Sequence, residues 1–181
     1  MGPNPWSTRA TKTVYDNGWI SVREDAVVRP DGSDGIYGVV KFKNHALGAV
    51  PLFDDGTTVL VGQHRYPLDA WSWEIPEGGG PVGRDALSEI RRELREETGL
   101  TAERWTPLGA AHLSNSVTDE TGYAWLAEGL TQGPSEPEPT ERLRLRRLPF
   151  VEAVQMAVDG RITDALSIIA LCRAERLLAS R

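Results

Sequence analysis

The chain has 181 residues, of which 40% are hydrophobic and 25% are charged, a balance typical of a folded globular protein. Its length fits one domain with a small additional lobe. The formal net charge of −6 excludes a general polyanion binder, because such a chain exerts no overall attraction on nucleic acid. The same charge disfavours a phosphate-bearing substrate unless metal cations intervene.

No apolar run reaches the roughly 18 residues that a membrane-spanning helix needs, so no membrane association is expected. The opening segment lacks the apolar stretch of a secretory signal, and a cytoplasmic location is expected. The single cysteine, Cys172, excludes an intramolecular disulfide framework and a cysteine-based zinc site.

The first part of the chain is predicted to form β-strands connected by turns. Strand-like runs cover residues 13–28, 36–42, 45–53, 57–64 and 70–75. Asp16-Asn17-Gly18 predicts a hairpin turn within the first run. Asp54-Asp55-Gly56 predicts a second hairpin, formed by the strands on either side of it. Residues 76–83 contain four glycines and two prolines, which argues against regular structure there.

A helix is predicted over 85–98, where apolar residues recur at helical spacing among charged ones. Asp85 is its predicted N-cap and Gly99 its predicted C-terminal glycine. The later elements are predicted strands at 105–113, 122–127 and 142–148, a proline-rich loop at 133–139, and amphipathic helices at 150–158 and 163–179. This order predicts an α+β fold in which helices pack on a mixed sheet, rather than a repeated βαβ array.

The predicted helix carries three clustered glutamates. Glu93, Glu96 and Glu97 are three and four residues apart, so a helix brings Glu93 onto one face with the other two. Each like-charge pair costs roughly a few tenths of a kcal/mol, and a divalent cation relieves that repulsion. Oxygen-only ligands select hard cations, which predicts Mg²⁺ or Mn²⁺.

The alternative for this cluster is a solvated helix face with intrahelical ion pairs, which is the usual meaning of a charge run. The glycine-rich segment directly before the helix favours the metal site. Glycine backbone can approach a metal or a phosphate more closely than other residues can.

The stretch from Gly78 to Leu100 resembles the Nudix box, G-x5-E-x7-R-E-U-x-E-E-x-G-U, in which U is an apolar residue. Gly78 corresponds to the first glycine, and residues 92–100 match the second half without a gap. The preceding residues 73–78 are similar to the strand-to-loop segment of ADP-ribose pyrophosphatase-type members of that family. The resemblance covers most of residues 10–180.

The resemblance implies a Nudix-type α/β/α sandwich around a mixed β-sheet, with a small N-terminal β-lobe. Residues 1–42 resemble the lobe through which related enzymes form homodimers, and residues 43–181 are then the hydrolase domain. The implied reaction is Mg²⁺-dependent hydrolysis of the pyrophosphate bond of a nucleoside diphosphate linked to another group. ADP-ribose or a nucleotide sugar is the expected substrate, and a nucleoside monophosphate and a sugar phosphate are the expected products.

The resemblance also assigns roles within the box. Glu93 and Glu97 are implied as the principal metal ligands, and Glu96 as a further ligand or a supporting acid. The backbone carbonyl of Glu77 or Gly78 is a candidate ligand. Mn²⁺ is expected to substitute for Mg²⁺.

Further groups are expected from outside these ligands. Arg92 is implied to orient the glutamates by ion pairing. A general base or third metal ligand is expected on the acidic loop before the strand at 142–148, with Glu141 the first choice and Glu138 the second. Glu120, on a different loop, is the third candidate.

Three more residues are expected near the substrate. Arg65 resembles a phosphate-contacting arginine of the ADP-ribose pyrophosphatase group. Trp73 and Glu74 precede the box and are candidates to lie beside the substrate, together with Glu120, although core packing is the favoured role of Trp73.

Arg84 departs from the family pattern, since the first box glutamate falls at this position. The simplest interpretation is that Arg84 caps the loop with Asp85. The alternatives are lower activity, a changed number of metal ions, or a cation placed beside a substrate phosphate.

Other functions stay open at this point. The same fold could act on NADH or on dinucleoside polyphosphates, or could be a weakly active regulatory domain that binds nucleotides. A nucleic-acid surface is disfavoured by the negative net charge. Its candidate residues are Arg142, Arg144, Arg146 and Arg147.

Overall fold

Ten strands, three α-helices and one short 3-10 helix (Tyr66–Leu68) are present in the part of the chain that the computed structural model describes, residues 2–136 and 142–181. They belong to two compact units. The smaller unit comprises residues 1–44 with 112–120, and the larger comprises residues 45–111 with 121–181. None of the helices in the described residues is long and apolar enough to cross a membrane.

The smaller unit contains a three-stranded antiparallel sheet. Its strands, in spatial order, are β1 (Ser7–Asp16), β2 (Ile20–Val28) and β3 (Asp34–Phe42). The predicted first hairpin is present, because Asn17 lies in the turn between β1 and β2. Its Oδ1 accepts hydrogen bonds from the backbone N–H groups of Trp19 and Ile20, both at 2.8 Å. The Asn17 N–H also donates to the Ile20 carbonyl at 3.0 Å, so side-chain and backbone hydrogen bonds close the turn together.

The larger unit contains two sheets. Their strands are β4 (Asn44–Pro51), β5 (Thr57–Arg65), β6 (Ala70–Glu74), β7 (Glu77–Pro81), β8 (Leu100–His112), β9 (Thr121–Gln132) and β10 (Arg144–Pro149). One sheet has the order β7-β4-β9-β8, in which β4 and β9 are parallel. The other is antiparallel with the order β10-β5-β6.

The larger unit contains three α-helices, α1 (Ala86–Thr98), α2 (Phe150–Val158) and α3 (Ala165–Leu178). Of these, α1 and α3 pack on opposite faces of β4. Leu47 and Ala49 belong to the same buried cluster as Leu94 of α1. The intervening Gly48 faces α3, since a Cβ there would lie 3.4 Å from Leu166 Cδ2. Successive strand residues point to opposite faces, so the sheet lies between α1 and α3, which confirms the predicted α/β/α sandwich.

The predicted second hairpin is wrong. Its turn forms, because the Phe53 N–H donates to the Thr57 carbonyl at 2.9 Å. Beyond it a single bridge joins Leu52 to Thr58 in the described residues, and β4 and β5 then enter different sheets. The turn motif determines local backbone geometry, whereas the partners of β4 follow from its burial between two helices, which a turn motif does not encode.

The prediction of irregular structure over 76–83 is also wrong, because residues 77–81 form β7 and pair with β4. Glycine here permits close packing instead of ending the strand. A Cβ at Gly80 would lie 2.5 Å from Leu47 Cδ1, too close for any other residue without rearrangement.

The other predicted elements are present with shifted ends. β1 begins at Ser7 instead of residue 13, β8 begins at Leu100 instead of residue 105, and β9 continues to Gln132 instead of residue 127. Residues 137–139 of the predicted proline-rich loop lie outside the described residues.

Helix α1 ends at Gly99, which adopts a φ of 73°. An added Cβ would lie 2.3 Å from the carbonyl oxygen of Gly133. We expect Gly99→Ala to lower the free energy of unfolding by more than about 1 kcal/mol, as measured by urea denaturation.

The matched control is Gly160→Ala. Gly160 follows α2 with a φ of 82°, and among the described residues no atom lies within 4 Å of its added Cβ. This variant has the same backbone strain without the collision, so its loss should be smaller. Equal losses in the two variants would contradict the role of the Gly133 carbonyl.

Candidate active site

Helix α1 positions the predicted glutamates. Asp85 is its N-cap, as predicted, and accepts a hydrogen bond from the Ser88 N–H at 3.1 Å. Ile90 and Leu94 are fully buried. Glu97 follows them by seven and three residues, so it lies on the same helix face, at the edge of the core. Its exposure of 4% follows from this register.

The Glu97 carboxylate lies against the backbone of β7. Its Oε2 accepts a hydrogen bond from the Glu77 N–H at 3.1 Å. The next residue, Gly78, leaves room for Glu93, since a Cβ at position 78 would lie 2.2 Å from Glu93 Cδ. Glu93 and Glu97 therefore converge on the same two residues of β7, whose carbonyls are the predicted backbone ligands.

Arg92 contacts three carboxylates of the same helix. Its Nη2 lies 2.6 Å from Glu93 Oε1 and 3.4 Å from Glu89 Oε2, and its Nη1 lies 2.5 Å from Glu96 Oε2. Burial opposes the guanidinium charge, but the carboxylates of Glu93 and Glu96 outweigh it and raise the pKa of Arg92. The arrangement offsets the mutual repulsion of these glutamates.

The Glu77 side chain is held by the N-terminal end of α3. Ser167 Oγ donates to Glu77 Oε1 at 2.7 Å, and the Glu77 carboxyl also hydrogen-bonds to Asp164. Removal from water raises the pKa of Glu77 well above its usual value, and the nearby Asp164 carboxylate adds to this shift.

Arg65 and Glu74 form an ion pair between β5 and β6. The Arg65 Nε lies 2.9 and 3.2 Å from the two oxygens of Glu74, and Nη2 makes a further contact. The hydrogen bonds to Glu74 raise the pKa of Arg65 despite its partial burial. The Arg65 side chain is still 39% exposed, so the ion pair lies at the edge of the buried region.

The Trp73 ring packs against another aromatic ring, that of Trp71. Its ring centroid is 5.9 Å from that of Trp71, edge to face, and both rings pack where a side chain at Gly62 would otherwise be. Trp73 and Glu74 are adjacent in β6 and point to opposite faces of the strand. The structure therefore does not bring Trp73 onto the same face as Glu74.

Three further predicted residues, Glu120, Glu138 and Glu141, are not described together with these site residues. Glu120 belongs to the smaller unit, where its N–H lies 3.4 Å from Thr118 Oγ1. Glu138 and Glu141 lie outside the described residues.

Arg84 is largely exposed, and its Nη1 lies 3.7 Å from Glu89 Oε1. It therefore points back to the helix beside Arg92, which contacts the other carboxylate oxygen of Glu89. Asp85 caps α1 through its own carboxylate.

Asp164 and Ser167 are site neighbours that sequence reasoning missed. Their Asp-x-x-Ser spacing is an N-cap signal, and Asp164 Oδ2 does accept the Ser167 N–H at 2.7 Å. The start of α3 was therefore readable from the sequence. The contact to Glu77 was not, because it joins residues 90 positions apart.

The candidate ligand atoms are of the kind that a hard divalent cation prefers. Glu93, Glu97 and the carbonyls at 77–78 supply oxygen only, and the missing side chain at Gly78 makes room for Glu93. Within residues 2–136 and 142–181, however, no three acidic, histidine or cysteine side chains surround a common position. Glu93 and Glu96 instead contact Arg92, so ligation by them requires that these ion pairs rearrange.

Two family models match the chain. The model described as the NUDIX domain matches residues 43–166. The model described as the nucleoside diphosphate sugar hydrolase N-terminal domain matches residues 6–40.

Individual proteins agree with these models. An ADP-ribose pyrophosphatase of Bacillus subtilis (strain 168) is 27% identical over 166 residues, which cover 91% of this chain and 89% of the relative. An ADP-ribose pyrophosphatase of Mycobacterium tuberculosis (strain ATCC 25618 / H37Rv) is 29% identical over 171 residues, which cover 93% and 82%.

A crystal structure of an ADP compounds hydrolase matches with a TM-score of 0.87 at 19% identity. The match covers 99% of this chain and 97% of the other, and it supports the fold. The NUDIX model spans more than half of the chain, and the matched range includes α1 with its glutamates. The resemblance seen in the sequence is thereby confirmed, and the chain belongs to the NUDIX family as a pyrophosphohydrolase.

Proposed function

We propose that this protein hydrolyses the pyrophosphate bond of ADP-ribose or a closely related nucleotide sugar, with Mg²⁺ as its metal. The observation that carries the proposal is the convergence of Glu93 and Glu97 on the backbone at 77–78. The two relatives named ADP-ribose pyrophosphatase support the substrate class. The products are a nucleoside monophosphate and a sugar phosphate.

The oxygens of Glu93, Glu97 and the backbone at 77–78 would hold the cation, with Glu96 as a further ligand. When bound, Mg²⁺ neutralises phosphate oxygens and lowers the pKa of a coordinated water. The Glu77 N–H holds Glu97 in place at 3.1 Å. Mn²⁺ is expected to substitute, because it also accepts oxygen ligands.

Two groups of residues act on the substrate in this proposal. Arg65, whose side chain is partly exposed, contacts a substrate phosphate, while the buried Glu74 fixes its guanidinium. A general base or third ligand comes from Glu141 or Glu138, a proposal that rests on the family resemblance.

A substrate screen tests the proposal directly. ADP-ribose, other nucleotide sugars, NADH and dinucleoside polyphosphates are incubated with the protein and Mg²⁺, and the products are identified. We expect the highest kcat/KM for ADP-ribose, loss of turnover with EDTA, and recovery when Mg²⁺ is restored. Reaction in ¹⁸O-labelled water shows which phosphorus is attacked.

Other outcomes of the screen lead to the alternative functions. Preferred cleavage of NADH or of dinucleoside polyphosphates would assign the chain to a different substrate class of the same family. Binding of ADP-ribose without any product, in both Mg²⁺ and Mn²⁺, would instead indicate a regulatory nucleotide-binding domain.

Glu97→Gln tests the proposed ligand. Glutamine keeps an oxygen that can accept the Glu77 N–H, so the fold should survive. Loss of the charge should lower turnover by at least about 100-fold, since even groups that only support a metal ligand contribute about 10- to 100-fold. Steady-state kinetics and a thermal melt measure the two effects.

Glu103→Gln is the matched control. Glu103 lies on β8 with a largely exposed side chain, and its replacement removes the same charge away from the site. Turnover should stay within about twofold of the parent protein. Near-parental turnover in Glu97→Gln would contradict the ligand assignment.

We also propose a homodimer formed through the N-terminal strands, residues 1–42. Trp19 is 71% exposed and Ile36 is 68% exposed, and large apolar side chains left open to water favour an interface. Sedimentation velocity should show a dimer for the parent protein. Trp19→Glu combined with Ile36→Glu should shift it to a monomer, whereas a monomeric parent protein at micromolar concentration would contradict the proposal.

A further inference from the structure

One buried hydroxyl connects helix α3 to the segment before the catalytic helix. Ser167 is fully buried, and its Oγ accepts the Ile75 N–H at 3.0 Å. The same hydroxyl donates to Glu77 Oε1 at 2.7 Å. Ser167 therefore holds Ile75 by its main chain and Glu77 by its side chain, on the two sides of Pro76.

Glu77 transmits this constraint to Glu97. Its carboxyl group is fixed by the hydrogen bond from Ser167 Oγ. Its own N–H donates to Glu97 Oε2 at 3.1 Å. The direction of a peptide N–H is set by the backbone on either side, so holding Ile75 and Glu77 also holds the bond to Glu97.

Asp164 supports the same contact from within α3. Its Oδ2 accepts the Ser167 N–H at 2.7 Å as the N-cap of the helix. The cap places Ser167 in the first turn, where its hydroxyl reaches β7. The chain of contacts thus runs from the start of α3 through Ser167 and Glu77 to Glu97.

We propose that Ser167 is a positioning residue for the metal site, which orients Glu97 through the Glu77 backbone N–H. The inference rests on the proposed function, because it assumes that Glu97 binds the cation. Hydrogen bonds that hold a ligating side chain typically contribute about 10- to 100-fold to metal affinity or activity. Ser167 acts one step further away, so the lower part of that range is expected.

A purely structural role of Ser167 makes a different prediction. Removing the hydroxyl leaves the buried Ile75 N–H unpaired, which lowers stability whether or not Glu97 moves. Stability alone therefore cannot distinguish the two roles. Cation affinity can, because only the positioning role couples Ser167 to Glu97.

The experiment compares Ser167→Ala with the parent protein in Mn²⁺ binding, followed by electron paramagnetic resonance without nucleotide. We expect the Mn²⁺ dissociation constant to rise about tenfold. The Mg²⁺ concentration that gives half-maximal turnover should rise by the same factor. KM for ADP-ribose at saturating Mg²⁺ should stay within about twofold, because Ser167 does not contact the substrate in the proposal.

Thr58→Val is the matched control. Thr58 is also fully buried in the larger unit, and its hydroxyl has no hydrogen-bond partner among the described residues. The substitution removes a buried hydroxyl without touching the Ile75–Glu77 segment. Its Mn²⁺ affinity should match that of the parent protein, and thermal melts of both variants report stability separately.

The outcomes are distinct. Mn²⁺ affinity of Ser167→Ala within twofold of the parent value overturns the proposal, and so does an equal loss in Thr58→Val. If Ser167→Ala does not fold, Ser167→Cys replaces it, because a thiol is a weak hydrogen-bond donor, and the same two outcomes apply. A parent protein that hydrolyses none of the nucleotides would instead refute the proposed function.

Discussion

Glu93, Glu96 and Glu97 place three negative charges within about one turn of a single helix, and α1 alone offsets only part of their repulsion. Arg92 supplies a positive charge to Glu93 and Glu96. Glu97 is too deeply buried to rely on water, and a buried carboxylate without a donor is costly. The Glu77 N–H provides such a donor. Several contacts of the larger unit hold that N–H beside α1.

The hydrogen bond from the Glu77 N–H to Glu97 requires that β7 and α1 lie close together. Gly78 allows it beside Glu93, and Gly80 allows it beside Leu47 in the core. From the other side, Ser167 of α3 holds the segment that leads into β7. Contacts from α1 on one face of the sheet and from α3 on the other thus hold the same short stretch of backbone, residues 75–78.

The negative net charge and a phosphate-bearing substrate are compatible under this arrangement. The acidic side chains on α1 are concentrated where a divalent cation would reverse the local sign. Arg65 adds a fixed positive charge that Glu74 orients. The overall charge of −6 thus disfavours polyanions without disfavouring a small phosphate compound held through a cation.

Several elements were predictable because their signals are local. The apolar spacing of Ile90 and Leu94, the Asp85 N-cap and Gly99 defined α1 almost to the residue, since helix bonds and caps span at most four positions. Asn17 likewise defined the first hairpin. The box from Gly78 to Leu100 is contiguous and was sufficient to identify the family.

Features that depend on distant partners were not predictable in this way. Asp54-Asp55-Gly56 indicated a turn correctly, but the partners of the strands beside it were decided by burial of β4 between α1 and α3. The glycines of β7 read as loop residues, because the side chains that fill their space, Glu93 and Leu47, come from other elements.

The sequence by itself therefore determined the helix that carries the glutamates, the family and the chemistry of the donors. Only the tertiary structure decided that the Glu77 N–H meets Glu97, and that Ser167 holds Glu77 across 90 positions. The physical reason is the distance along the chain over which each kind of interaction acts. Caps, turns and periodicity act between near neighbours, whereas a hydrogen bond between two elements exists only after both have packed on the same sheet.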